Sequence, residues 1–382
     1  MINLKNNKII ANPWAHILFL CLLLSVVFFF TKIVQMDDGF LYQQFAETII
    51  KESRLDFSLP GFHGPSFFSA VIYLLTKSEY SINIFEIICA ILSIPMAYLA
   101  VKEIFKNKTM GVFAGYIYVL MPLHYFPAFR GFIWASYLFF ILLTLYLLFK
   151  DSKLTFLSLG ISFIIKPFAV CLLPFFIYKK KFKQFFLGCA IPALYLIFQY
   201  KQIGRIMIGA HYDLTANQLF DLKRFIPNLI YAFQNYFSIH NYSPLNNLHP
   251  MDMIHISPFI AFLALLGILY WQKHFEDKKL YLTLFSFAAI SLILPATFHH
   301  LDMYYLTTFN LSLIFLSLPV MLSYKKLIPF IAFSFSFQFL YTYLSYKSAF
   351  WDSYVIFAIP LIVFLISVIY IFTNKWTEKK YS

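Results

Sequence analysis

Charge is scarce in this chain. Only 12% of its 382 residues are Asp, Glu, Lys or Arg, against about 25% in soluble domains, so it holds no soluble domain of ordinary size. Cysteine is rarer still. The chain has 4, Cys21, Cys89, Cys171 and Cys189; each falls inside an apolar run, which argues against disulfides and thiolate metal sites. Among 11 glycines there is no phosphate-cradling Gly-rich loop and no P-loop, which argues against nucleotide binding. No internal repeat is visible, a point against the transporters built from inverted repeats. The first apolar run, from about Trp14 to Val34, is too long and too poor in small residues at its end for a cleaved signal peptide. It is expected to remain as a helix of the mature protein, with no targeting segment removed.

What is abundant is hydrocarbon. Apolar residues make up 61% of the chain, and runs of about 18 residues or more recur from end to end, the signature of transmembrane helices. The expected fold class is an all-α polytopic membrane protein with about 12 transmembrane helices and amphipathic surface helices in two long outer loops. The helices are predicted at 13–34, 81–101, 109–128, 132–149, 154–165, 168–178, 184–200, 255–271, 280–297, 303–322, 327–344 and 354–373.

Lysine sets the orientation. With the N-terminus inside, the short cytoplasmic connections carry Lys102/Lys106/Lys108, Lys150/Lys153, Lys179/Lys180/Lys181/Lys183, Lys273/Lys278/Lys279 and Lys325/Lys326, and the tail carries Lys375/Lys379/Lys380, as the positive-inside rule requires. Both termini are then cytoplasmic. The net charge of +13 is mostly this orientation signal and gives no reason to invoke nucleic acid.

Residues 154–178 could form one ordinary span, but the Lys179–Lys183 cluster would then lie outside and every later loop would invert. Two short helices meeting at Lys166-Pro167 avoid this. Neither half crosses a core of about 30 Å at about 1.5 Å per residue, so the turn is expected below the outer surface, buried in protein or lining a wet cavity. Lys166 then either points into that cavity or snorkels to the headgroups.

The same topology places Arg54, Arg130, Arg205, Arg224 and eight of ten histidines on the outer side, so function should face outward. Guanidinium groups there suit phosphate oxygens, which they grip with paired hydrogen bonds. Two outer loops are too long for simple connections. The first, 35–80, contains an amphipathic stretch at Phe40 to Ile50, with Phe40, Leu41, Phe45 and Ile49 on one face, a Pro/Gly turn at residues 59–65, and a short apolar stretch at Ser66 to Leu75. Both stretches read as surface helices. The second loop, 201–254, holds another candidate surface helix at Gln218 to Phe237. Together the loops would roof a cavity.

Asp37 and Asp38 sit side by side where the first apolar run meets the outer loop. Carboxylates beside hydrocarbon need cationic or hydrogen-bonding partners, or one must hold a proton. That is the chemistry of a base or an ion site.

The ordered set of features in residues 10–200 resembles the GT-C glycosyltransferases, the lipid-linked-sugar-dependent superfamily that includes protein O-mannosyltransferases and lipid A aminoarabinose transferases. The acid pair, aromatic-rich amphipathic helix, Pro/Gly turn and short surface helix look like the superfamily's first outer loop. Met121-Pro122-Leu123-His124-Tyr125 leading to Arg130 is similar to its SPLH…R stretch, and Gly160 to Pro167 followed by Leu172-Leu173-Pro174 is similar to its short helical hairpin.

The resemblance implies that Asp37 is a general base taking the acceptor's hydroxyl proton, with Asp38 orienting it or sharing its charge. The leaving lipid phosphate needs cations rather than an acid, and Arg130, Lys166 and Arg54 are the candidates. His63, Tyr42, His124, His299, His300 and Asp302 are candidates for substrate binding. His299 and His300 open the tenth predicted helix, where adjacent side chains diverge, so a hydrogen-bonding role is preferred to zinc. One departure from the pattern matters. Many relatives carry a second acid shortly after the arginine, but Gly131 to Ser136 contains none, so no cofactor is expected and a required divalent metal is disfavoured. Glu86 in the second predicted helix either faces the bundle interior as a functional acid or is a solvated structural group.

The implied organisation is a catalytic membrane module at 1–200 that includes the 35–80 loop, a second outer loop at 201–254, and C-terminal transmembrane helices at 255–382. The implied activity is inverting transfer of a hexosyl or pentosyl group from a polyprenyl-phosphate-linked donor. The acceptor would be a lipid, glycan or protein on the outer face of a bacterial cytoplasmic membrane. The alternatives are a transporter or flippase of polyprenyl-linked glycans, with the acids as proton or ion sites, and a polysaccharide polymerase.

Overall fold

The computed structural model describes residues 12–30, 33, 38–53, 55, 62–121, 124–209, 212–213, 221–237, 264–265, 267–268, 277–298 and 303–323. Their regular structure is helical apart from one antiparallel ribbon, β1 (Met207–Gly209) against β2 (Tyr212–Asp213). The helices are α1 (Pro13–Phe30), α2 (Asp38–Glu52), α3 (Gly64–Thr76), α4 (Ser81–Phe105), α5 (Lys108–Leu120), α6 (Trp134–Phe149), α7 (Thr155–Ile165), α8 (Leu173–Tyr178), α9 (Phe182–Ile203), α10 (Phe225–Phe237), α11 (Lys278–Ala296) and α12 (Thr307–Ser323). Four of them, α1, α4, α9 and α11, are long and apolar enough to cross a membrane, which makes this a multi-pass membrane protein. The predicted helices 327–344 and 354–373, and all but four residues of 255–271, lie outside the described residues.

Burial follows the environment of each helix. On α1, Ile17, Leu20, Leu24 and Phe28 are buried, at the spacing of one helix face, while Leu18, Leu22 and Phe29 are exposed. Apolar side chains pointing away from the core are stable here because the surroundings are lipid. The central helix is α4, packed by α1, α5 and α6. Its 25 residues span about 37 Å, so it reaches from one end of the bundle to the other.

Two prolines shape one end. The predicted helix 109–128 stops at Leu120, and Met121, which precedes Pro122, is extended at φ −105°, ψ 96°. Lys166, which precedes Pro167, is extended at φ −148°, ψ 135°. A residue before proline is sterically kept out of the helical region, so each helix ends there. Tight 3-10 turns follow, at Phe126–Arg130 and Pro167–Leu172.

The chain reverses at Lys166-Pro167. After α8, the Lys179 and Lys181 ammonium groups return to the Asp151 carboxylate at 3.1 and 3.2 Å, just before α7 begins. Lys150 joins Lys102 and Lys106 around Glu103, and the Tyr178 hydroxyl donates to Asp277 Oδ2 at 2.7 Å. The connections α4–α5, α6–α7, α8–α9 and the start of α11 are therefore gathered at one lysine-rich end. The described parts of both long loops collect at the other end. Gln202 at the end of α9 donates to the Leu55 carbonyl at 3.0 Å. Asn228 of α10 donates to the Ala296 and Phe298 carbonyls at 2.9 and 2.7 Å, and Phe298 packs on Phe168 at 5.1 Å.

Candidate functional site

Asp38 is the first residue of α2, where a carboxylate complements the helix dipole. The helix is fastened from both sides. Gln43 Oε1 accepts from the Ser81 hydroxyl at 2.9 Å and the Ile82 amide at 3.2 Å, and the Ser66 hydroxyl donates to the Tyr42 carbonyl at 2.8 Å. The buried face is Gly39, Tyr42, Gln43, Phe45 and Ala46. Of the residues on the predicted apolar face, Phe45 is buried within the protein and Phe40 is 58% exposed. Tyr42 is buried, and burial first, then the negative charge of Asp38, pushes its phenol well above the ordinary range. His63 is also buried; its ring stacks on Phe45 at 4.2 Å, and its amide donates to the Tyr195 hydroxyl at 3.2 Å.

The start of α2 lies against the turn that carries Arg130. Gly131 caps this turn in the left-handed region, φ +77°, and a Cβ placed on it would sit 3.1 Å from the Gly39 Cα. Glycine satisfies both demands, the positive φ and the backbone contact. The contact brings the chain at Asp38 beside the chain at Arg130, whose residue is only 9% exposed. Asn83 of α4 secures the turn from beneath, donating to the Ala128 and Phe129 carbonyls, both at 3.0 Å.

Lys166 approaches from the hairpin. Its ammonium stands over the Trp134 ring, 4.9 Å from the centroid, a cation–π arrangement that turns it into the protein. A Cβ on Gly64 would lie 2.5 Å from the Ile164 carbonyl oxygen, so the His63-Gly64 turn rests on the end of α7 just before Lys166. Trp134 is the first residue of α6, and α6 has no acid in its first turn. A carboxylate is nevertheless there in space. Glu86 of α4 is fully buried, and its Oε2 accepts the Ser136 amide at 2.9 Å, so it caps the N-terminus of α6 while attracting Lys166 electrostatically. Of the two readings for Glu86, the solvated one is removed. The other oxygen, Oε1, has no hydrogen-bond partner among the described residues.

His124 lies deeper, buried against the Tyr118 ring at 4.9 Å with neither ring nitrogen hydrogen-bonded among the described residues. Burial lowers its pKa from 6.5 to about 4. Asp37, Arg54, His299, His300 and Asp302 lie outside the described residues. Among the described residues no three His, Cys, Asp or Glu side chains cluster in the manner of a metal site. An open groove of about 480 Å³ lined by Leu196, Ile197, Tyr200, Lys201 and Ile206 runs along α9, with none of the candidate residues in its lining.

Solved structures are similar to this chain. ArnT from Cupriavidus metallidurans bound to undecaprenyl phosphate matches with a TM-score of 0.52 and 12% identity over 87% of this chain and 70% of that one. The apo oligosaccharyltransferase of Archaeoglobus fulgidus matches at 0.48 and 12% over 90% of this chain and 55% of that one. The oligosaccharyltransferase AglB of the same organism, in complex with an inhibitory peptide and a dolichol-phosphate, gives 0.42 and 14%, with 94% and 55% covered. No family model matches the sequence, and no curated protein matches it. At 12% identity the likeness to ArnT is one of fold alone.

Proposed function

We propose that this chain is an integral membrane glycosyltransferase that moves a sugar from a polyprenyl-phosphate-linked donor to an acceptor on the outer face of a bacterial cytoplasmic membrane. The observation that carries this reading is the backbone contact of Gly39 with Gly131, which sets the aspartate-bearing start of α2 beside Arg130 with the Lys166 hairpin alongside. A carboxylate with cations near it suits a displacement in which the carboxylate takes a hydroxyl proton while a phosphate departs. Undecaprenyl phosphate bound to ArnT in its solved structure supports a lipid phosphate as the donor's leaving group.

In this mechanism Asp37 accepts the acceptor's hydroxyl proton as the new glycosidic bond forms. Asp38 holds Asp37 in place or shares its charge. The bond to the phosphate breaks in the same step, so the anomeric centre inverts. Arg130, Lys166 and Arg54 receive the developing phosphate charge, while Tyr42, His63, His124, His299, His300 and Asp302 shape the sugar and acceptor sites. The acceptor is a lipid, a glycan or a protein. No step draws on a bound metal.

Mass spectrometry of surface glycolipids and glycans tests the reading. Cells with the intact gene are expected to carry a sugar of defined mass that is missing both from a deletion strain and from one expressing Asp37→Asn. Identical glycan profiles in all three strains would refute it.

A further inference from the structure

The segment from Ala128 to Ser136 is held at both ends by one face of one helix. Asn83 and Glu86 are separated by three positions on α4 and so project from the same side. Asn83 grips the front of the segment through the Ala128 and Phe129 carbonyls, at 3.0 Å each. Glu86 grips the back through the Ser136 amide at 2.9 Å. Both side chains are fully buried. Between the two grips lie Arg130, Gly131 with its positive φ, and Trp134, the ring beneath the Lys166 ammonium. The two carbonyl acceptors fix the orientation of the Asn83 amide, since only its nitrogen can donate to them.

Simple packing does not call for polar groups here. A buried amide and a buried carboxylate are costly unless hydrogen-bonded, yet each keeps one oxygen, Asn83 Oδ1 and Glu86 Oε1, without a partner among the described residues. An apolar pair would avoid that cost but could hold neither a pair of carbonyls nor the amide that opens a helix. What the pair secures is the geometry of a loop whose cargo is a guanidinium and the ring under an ammonium.

We infer that Asn83 and Glu86 are positioning residues, a two-point clamp on α4 that presents Arg130 and the Lys166–Trp134 pair to the lipid phosphate. The inference rests on the function proposed above and names residues that it does not use. Neither side chain touches the reacting atoms. Each acts through the segment it holds, so the loss of Asn83, which grips the Arg130 end, is expected in phosphate affinity and to vanish once the arginine is gone.

Equilibrium binding of undecaprenyl phosphate to the purified full-length protein in detergent micelles tests the clamp, with Asn83→Ala, Arg130→Gln and the double variant forming a cycle. Each single variant is expected to weaken binding about tenfold, the effect of about 1.4 kcal/mol of lost hydrogen bonding. The double variant is expected to match Arg130→Gln alone. Glu86→Ala should weaken binding similarly, whereas Glu86→Gln, whose amide oxygen still accepts the Ser136 amide, should restore it. If Asn83→Ala does not fold, Asn83→Ser, which retains one donor, completes the same cycle. Independent, additive losses in the double variant, or equal losses from Glu86→Gln and Glu86→Ala, would overturn the clamp and leave the phosphate reading standing. A wild-type protein that does not bind undecaprenyl phosphate would overturn both.

Discussion

The two ends of this bundle differ in which charges they turn inward. At the lysine-rich end the charges are numerous, mostly solvated and paired. Glu103 meets Lys102, Lys106 and Lys150, Asp151 meets Lys179 and Lys181, and these lysines and Asp151 are at least one-fifth exposed. At the other end exposed charges such as Lys51, Glu79, Arg205 and Arg224 accompany three that are turned inward: Arg130 is nearly buried, Glu86 is fully buried with one oxygen unpartnered among the described residues, and Lys166 stands over an indole. Exposed pairs contribute little to stability and serve orientation, whereas buried charge inside a membrane protein marks function.

Substitutions at the two ends should therefore differ sharply. Asp37→Asn is expected to cut sugar transfer by about 10²- to 10⁴-fold, the usual loss of a general base, with donor binding little changed; a transfer assay paired with a binding assay measures both. Gly131→Ala comes next. It forces an alanine into the left-handed region, which costs about 1–2 kcal/mol, and drives a Cβ to 3.1 Å from the Gly39 Cα, so both Tm and transfer should fall.

A smaller effect tests the environment of His124. Its pKa is lowered from 6.5 to about 4 by burial. Above pH 6.5 the ring is neutral both folded and unfolded, and it adds no pH dependence. As pH falls from 6.5 toward 4, only the unfolded chain takes up the proton, so the folded state loses stability, on the order of 3 kcal/mol at the lower limit. His124→Phe, which retains a ring against Tyr118, should flatten the Tm profile in that window. An unchanged slope would show that His124 is already paired. Least of all, Asp151→Asn at the lysine-rich end should leave both Tm and transfer unchanged within measurement.

The parts legible in the sequence were those written in local rules. Lys166-Pro167 announced a helix break because proline restricts the residue before it, and the lysine clusters announced their common end through the positive-inside rule. Which side of α2 meets protein was not legible, because a surface helix at a membrane has two apolar environments: Phe40 is exposed while Tyr42 and Gln43 are buried, and polarity alone does not separate lipid from protein. Asn83 and the Gly39–Gly131 contact were illegible because they join segments far apart in the chain, and an asparagine in an apolar helix carries no local signal of the carbonyls it will meet. Glu86 was legible as an intramembrane acid, but not its partner, because the Ser136 amide that it accepts lies 50 residues away.

Undecaprenyl phosphate binding by Lys166→Gln and Lys179→Gln, one cation from each end, sets the two ends against each other in a single titration. Loss of the charged contact at Lys166 is expected to weaken binding at least about tenfold, while Lys179→Gln should bind as the wild type does. Equal affinities for the two variants, or weaker binding by Lys179→Gln, would contradict the placement of the phosphate site at the hairpin end.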